Sequence, residues 1–287
     1  MLAPSDEVHK VKATALIREF RSGSSLPILV RTDSSEKYVV KWHQTAEGTL
    51  ECLSDWVCLH IADYAAIAVP KRTLITIPLE FSSGIVDSEL REIATRSAGL
   101  NLGVEFLENT LPFDQKEKDL FNFDLRRRIF LLDLLLLNID RTIQNPNMLV
   151  RETNLFCIDF SASAVIRESF SGSRLSLENC LRILRRHPFF ESEVEHFHID
   201  GLEQIVDRLE NTILRIPEYW CPDPTNPDLF KKLLLSNLLS IFNNAEELLS
   251  TRFEILRSMP EETSECIREN NRRKKLAFLE KHNLLRR

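Results

Sequence analysis

Three oxygen-bearing side chains and one lysine stand out by type and spacing. In "LLLLNIDRTIQNPNML", residues 134–149, an apolar run stops in a polar cluster containing Asp140, Arg141, Asn145 and Asn147. Two short apolar runs, "NMLV" at 147–150 and "LFCID" at 155–159, follow and are joined by the polar "RETN", the pattern of a β-hairpin. A hairpin turns the chain back on itself, so Asn145, just before the first strand, and Asp159, at the end of the second, are expected side by side. Asp140 lies in the loop that the apolar segment delivers to the same place. A carboxylate that orients an acceptor hydroxyl, beside an amide and a carboxylate that hold magnesium, is the set that phosphoryl transfer from a nucleotide requires. Magnesium takes oxygen ligands and keeps waters and phosphate oxygens as most of them. On this reading Asp140 is the base, and Asn145 and Asp159 are the metal ligands. The same chemistry needs a strand lysine aimed at the nucleotide phosphates, and Lys41 in "YVVKWH" has that place. Strand alternation puts Val40 and Trp42 on the opposite face.

The elements that must position these groups change character along the chain. "KATALIREF", "PILVR" and "KYVVKWH" are rich in β-branched and aromatic residues, and "RSGSSLP" and "TDSSE" punctuate them; they read as antiparallel strands. "LECLSDWVCLHIADYAA" (50–66) carries apolar residues at helical spacing. A strand "RTLITIP", a helix "DSELREIATRS" with Asp87 or Ser88 as its N-cap, and a strand "NLGVEFLE" come next. Thereafter helical patterns dominate: "LRRRIFLLDLLLL", "SLENCLRILRR", "GLEQIVDRLENTILR", "DLFKKLLLSNLLSIFNNAEELLSTRFEIL" and a basic tail. The prolines of "IPEYWCPDPTNPD" mark a loop between helices. The expectation is an α+β chain in which a small β-rich lobe (1–104) precedes a larger helical lobe (113–287), with 105–112 between them.

Composition limits the function classes. A chain of 287 residues, 43% of them hydrophobic, can bury roughly three quarters of its unfolded surface in a sizeable core. A net charge of −6 argues against a general nucleic-acid partner, which needs a broadly basic face. The six cysteines, at 52, 58, 157, 180, 221 and 266, form no CxxC pair, as expected of reduced thiols. The polar start "MLAPSDEVHK" has no signal-peptide core, and the longest apolar run, "IFLLDLLLLNI", is too short to span a bilayer. A cytoplasmic protein without a membrane anchor is expected.

"NIDRTIQNPNML" followed by "LFCIDF" resembles the signature of the HipA-like kinases. The resemblance extends through "FRSGSSLPILVRTDSSEKYVVKWH", similar to that family's loop, strand and phosphate-binding lysine, and "AGLNLGVEFLENTLPF", similar to its interlobe hinge. It covers roughly residues 10 to 165. It implies a two-lobed protein-kinase-like fold, ATP and Mg2+ as cofactors, and a serine or threonine hydroxyl of an unknown protein substrate as acceptor. Carried over by position, Gly23, Ser24 and Ser25 cradle phosphate, and Glu105, Phe106 and Leu107 contact adenine mainly through backbone groups. Three features depart from the pattern. The loop has one glycine; the partner of Lys41 is Asp55 or, one turn earlier, Glu51; and "DFSAS" lacks the glycine that follows the metal aspartate in ordinary protein kinases.

Each residue also has a plainer role. Single Asp or Asn residues in loops usually cap helices or brace turns, and Lys41 alone would suit an edge strand. Arg141 fits a structural pair with a loop carboxylate better than a phosphate contact, Asn147 fits a brace to backbone better than a metal ligand, and turn chemistry accounts for Ser24 and Ser25 without autophosphorylation. His196 and His198 lack a third metal ligand nearby and read as a solvated loop. Cys157 reads as a small buried apolar residue, and the basic tail as a packed amphipathic helix. A lipid or small-molecule kinase and a nucleotide-binding pseudokinase are the competing classes. Acidic balance counts against the first, and retention of all four polar groups against the second.

Overall fold

The computed structural model describes residues 10–20, 26–45, 48–191, 193–194 and 196–260. Gly23, Ser24, Ser25, Cys266 and the basic tail lie outside them. Five strands, β1 (Lys10–Glu19), β2 (Ile28–Thr32), β3 (Lys37–Lys41), β4 (Arg72–Ile77) and β5 (Gly99–Glu105), close into a barrel in the order β1-β2-β3-β5-β4. The first three strands pair antiparallel, as expected; β1 also pairs with β4, its Lys10–Lys12 running parallel to Leu74–Thr76. Alternation and propensity specify a strand and its inner face but not its partner's direction, and closure removes edges that an open sheet would expose. Alternate residues Ile28 and Val30 of β2 and Tyr38 and Val40 of β3 fill the barrel with Val11, Ile75 and Trp42, which turns Lys41 outward.

Helix α1 (Gly48–Tyr64) connects β3 to β4 and, where an amphipathic helix is expected, is buried on nearly every side, its polar Ser54 and Asp55 included. Helix α2 (Ser88–Arg96) lays Leu90, Ile93 and Ala94 on the barrel. Its N-cap is Asp87, whose carboxylate accepts the Leu90 N–H at 2.9 Å.

A second core joins α1 to α3 (Phe123–Leu136), α4 (Ala164–Ser171), α5 (Leu177–Leu184), α6 (Leu202–Leu214), α7 (Pro227–Asn243) and α8 (Ala245–Ser258). The last two, read in sequence as one helical pattern, part at Asn244, which ends one and begins the other with φ −113°. The expected hairpin forms from β7 (Met148–Arg151) and β8 (Asn154–Cys157), with Met148 opposite Cys157. It gains a third strand, β6 (Leu111–Pro112), from the connecting segment 105–112. The proline-rich loop between α6 and α7 holds one helical turn, Glu218–Trp220, whose Trp220 is buried. No helix among the described residues is long and apolar enough to cross a membrane.

Two elements deliver the polar cluster. The N-cap Asn122 starts α3 by accepting the Leu125 N–H at 2.7 Å. The helix ends at Leu137 in the left-handed conformation, φ 50°, and the chain turns at once into residues 138–147. The β7–β8 hairpin then returns to the same place through Ile158, whose N–H donates to the Asn147 carbonyl at 2.9 Å.

Candidate active site

Residues 140–147 form a closed polar loop. Thr142 and Asn145 exchange backbone hydrogen bonds of 3.1 Å in both directions. The Asp140 carboxylate accepts from the Asn145 side-chain amide at 2.8 Å and from the Asn147 amide at 3.0 Å, both on Oδ2. Asn147 is therefore a brace, as expected, but it braces through the Asp140 carboxylate and not through backbone. With its nitrogen committed to Asp140, the Asn145 amide presents its oxygen as the atom available to a cation.

Asp159 follows Ile158 and holds a left-handed backbone, φ 54°, a conformation unusual for a residue with a side chain and frequent at functional sites. Its Oδ1 accepts from Lys41 Nζ at 2.9 Å, from Ser161 Oγ at 2.7 Å and from the Ser161 N–H at 3.3 Å. Lys41 also ion-pairs with Asp55 of α1. Asp55, and not Glu51, is thus its helix partner. Because β3 lies between β2 and β5, Lys41 is no edge-strand lysine. The other Asp55 oxygen accepts the Phe160 N–H at 2.5 Å, and Ser54 Oγ donates to the Phe160 carbonyl at 2.8 Å. Strand β3, helix α1 and the segment after β8 are joined through these bonds.

The electrostatics follow the geometry. Burial opposes the charged form of Lys41, but the Asp159 and Asp55 carboxylates overcome it and raise its pKa, so the ammonium persists. Burial also works against Asp159, yet Lys41 and Ser161 hold its carboxyl down at about 2. Burial pushes Asp55 up against the pull of Lys41. One ammonium thus lies between two carboxyl groups.

Beneath the loop, Arg141 is fully buried and pairs with Asp133 at 2.5 Å. It is a structural pair, as expected, but its partner belongs to α3 and not to the loop. Asp133, Ser54 and Ser161 were not singled out in the sequence. The available signal for Asp133 is its place inside the apolar run "IFLLDLLLLNI": a carboxylate is almost never fully buried unless paired.

The remaining expected residues fall as follows. Glu105 ends β5 and donates its N–H to the Lys71 carbonyl at 2.8 Å, while Phe106 donates to Lys37 at 2.9 Å. Leu107 is buried, and its carbonyl accepts from Thr110 Oγ1 at 3.0 Å. His198 is exposed, 3.8 Å from Asp200 and 3.5 Å from Glu246. Cys157 is buried among apolar neighbours, which push its thiol up to about 12. Among the described residues no group of three or more His, Cys, Asp or Glu could hold a metal. The donor set at the loop has a different composition, one amide oxygen and one carboxylate.

A family model described as HipA-like kinase matches residues 13–273. The chain belongs to the HipA-like kinase family. It is accordingly a kinase, a phosphotransferase. A comparison with curated proteins finds no match. Among solved structures, this HipA-like kinase is similar to the Helicobacter pylori proinflammatory kinase CtkA, at 15% identity and a TM-score of 0.49, over 86% of this chain and 99% of that one. It is also similar to a MAP kinase from Leishmania major, at 14% identity and a TM-score of 0.27, over 86% of this chain and 84% of that one.

Proposed function

We propose that this HipA-like kinase transfers the γ-phosphoryl group of ATP to a serine or threonine hydroxyl of a protein. The barrel with α1 and α2 acts as the small lobe, the helices from α3 onward with the hairpin as the large lobe, and residues 105–112 as the hinge. The observation that carries the reading is Lys41 of the barrel held by Asp159 at 2.9 Å and by Asp55 of α1, with Asp159 tethered next to the Asp140 loop by the Ile158–Asn147 hydrogen bond.

Each residue then has a task. Lys41 holds a nucleotide phosphate, and its bond to Asp55 keeps it extended from β3. Asp140, oriented by two amide donors, accepts the proton of the acceptor hydroxyl. Glu105, Phe106 and Leu107 meet adenine through backbone groups. The donor chemistry fits magnesium: the Asn145 amide oxygen and the Asp159 carboxylate are hard oxygen ligands, few in number, as this ion accepts from protein when phosphates and waters supply the rest. Bound there, the ion would neutralise charge on the phosphates.

Aligned groups of this kind each contribute about 3–4 kcal/mol to the transition state, so Asp140→Ala and Asp159→Ala should each lower turnover by about two powers of ten or more. The experiment is incubation of wild type and both variants with γ-labelled ATP in cell lysate, followed by identification of the labelled species. A labelled protein that depends on both carboxylates is the expected result. Label in a lipid would overturn the protein acceptor, and undiminished transfer by both variants would overturn the assignment of the site.

A further inference from the structure

Asp133, Asn138, Arg141 and His187 form a cluster of polar side chains that is closed off from solvent; all four residues are buried. Both carboxylate oxygens of Asp133 are engaged. Oδ1 accepts the Asn138 amide at 2.9 Å; Oδ2 accepts Arg141 Nε at 2.5 Å and faces His187 Nε2 at 3.1 Å. The tautomer of His187 follows from its other nitrogen. Nδ1 accepts the Phe189 N–H at 3.0 Å, so the proton sits on Nε2 and is donated to Asp133. Burial lowers the His187 pKa and keeps the ring neutral. One carboxylate and one guanidinium remain, balanced, far inside the helical core.

The far end of Arg141 reaches the active-site loop. Its Nη1 donates to the Asn147 carbonyl at 2.5 Å, the Pro146 carbonyl at 3.2 Å and the Ile158 carbonyl at 3.4 Å. Its guanidinium also lies over the Phe160 ring, 4.6 Å from the centroid. These residues are the immediate chain neighbours of the site: Arg141 follows Asp140, Pro146 follows Asn145, and Ile158 and Phe160 flank Asp159. A planar guanidinium anchored at one edge can span such points, whereas a lysine ammonium is a single point charge on a flexible stem.

We propose that Asp133 and Arg141, supported by Asn138 and His187, are positioning residues that fix Asp140, Asn145 and Asp159 relative to one another from beneath. The inference rests on the proposed phosphoryl transfer for its purpose, and on this geometry for its content. Asp133 aims Arg141; Arg141 clamps the loop to the end of the hairpin; Lys41 and the hinge lie outside the clamp. Loosening it therefore lowers the chemical step more than it weakens nucleotide binding, to which Lys41 and residues 105–107 still contribute.

The test uses the full chain as wild type, Arg141→Lys and, as a milder change that keeps ring volume but removes the donor to Asp133, His187→Phe. Two readouts are taken: kinetics of labelled-phosphate transfer, and amide hydrogen exchange. For Arg141→Lys, kcat should fall by about one to two powers of ten with KM for ATP within about threefold of wild type, because small misplacements of reacting groups act on the chemical step. The amides of Ile158 and Asn145 should exchange about tenfold faster, while those of α1 keep their protection. His187→Phe should change the same quantities in the same direction by less, and decides the matter if Arg141→Lys does not fold. Unchanged exchange at Ile158 and Asn145 would overturn the proposal, as would a kcat that stays at the wild-type value. Uniformly faster exchange across α1 and the loop together would reduce the cluster to a general stabiliser and overturn it as well. Absence of transfer by wild type counts against the kinase reading alone, and the exchange data still decide whether the clamp exists.

Discussion

Asp159 is where a strained backbone, a lysine from the barrel and a serine two residues on all meet. Its carboxyl is held at about 2, against an ordinary value of 3.8. A depressed carboxyl contributes stability that is present above its unfolded pKa and is lost as pH falls through its folded pKa. The contribution is therefore complete above about pH 4 and disappears toward pH 2. Urea unfolding of wild type and Asp159→Asn should show the larger stability difference at pH 5 and a smaller one at pH 2.5; a difference independent of pH would contradict the pairing. At this scale residue type and order bring Lys41, Asp140, Asn145 and Asp159 forward in the sequence, and the structure bonds Lys41 to Asp159 and Asn145 to Asp140. It was silent where a residue's meaning depends on a partner distant in the chain. Ser54 acts on Phe160 and Asp133 on His187, and no local pattern announces either pairing.

Helix α1 does more than fill space. Its Ser54 and Asp55 bond both backbone polar groups of Phe160, which ties the helix to the residue after Asp159. Ser54→Ala leaves the buried Phe160 carbonyl with the Ser163 N–H at 3.2 Å as its remaining donor, and the loss of one of two hydrogen bonds should cost about 0.5–1.5 kcal/mol. The measurement is a lowered denaturant midpoint with an unchanged slope; an unchanged midpoint would show the bond to be dispensable. Only a short stretch separates Asp159 from α4, and it is pinned in several places. Ser163 Oγ donates to the Leu136 carbonyl at 2.9 Å, and Ala164 N–H donates to Leu137 at 3.0 Å. The missing glycine of "DFSAS" is thereby accounted for: Ser161 uses its hydroxyl and its N–H on Asp159 instead. Elements were legible wherever hydrophobic period and capping agreed, as in α2 with its Asp87 cap. The β1–β4 pairing was not, because that parallel seam depends on how the whole sheet closes. The separation of α7 from α8 was obscured by an unbroken helical pattern through Asn243 and Asn244.

Two apolar cores run through the described residues, and the larger takes in Leu74 of β4 and Leu102 and Val104 of β5 as well as α1, whose Asp55 reaches Lys41 of β3. Gly201 marks one joint of the larger core. It begins α6 with φ 79°, and a Cβ there would lie 2.2 Å from the Tyr64 carbonyl at the end of α1. Gly201→Ala must therefore displace backbone as well as bear a left-handed conformation. Gly172→Ala, at φ 67° with open space around it, bears only the conformational cost of about 1–2 kcal/mol. Thermal unfolding should show the larger loss for Gly201→Ala; equal losses would mean that the α1–α6 joint yields freely. Nucleotide should stabilise the assembled molecule, by about 2.7 kcal/mol at a hundredfold excess over its dissociation constant, and the gain should be smaller in Lys41→Met.

In the proposed function a barrel lysine, a braced base and two metal-binding oxygens converge on one nucleotide. The most direct test of this convergence is a crystal structure of the full chain with magnesium and a non-hydrolysable ATP analogue. The expected result is magnesium bound by the Asn145 amide oxygen and the Asp159 carboxylate, with Lys41 on a phosphate and Asp140 facing the γ-phosphate. Nucleotide bound elsewhere, or a metal that touches neither Asn145 nor Asp159, would contradict it.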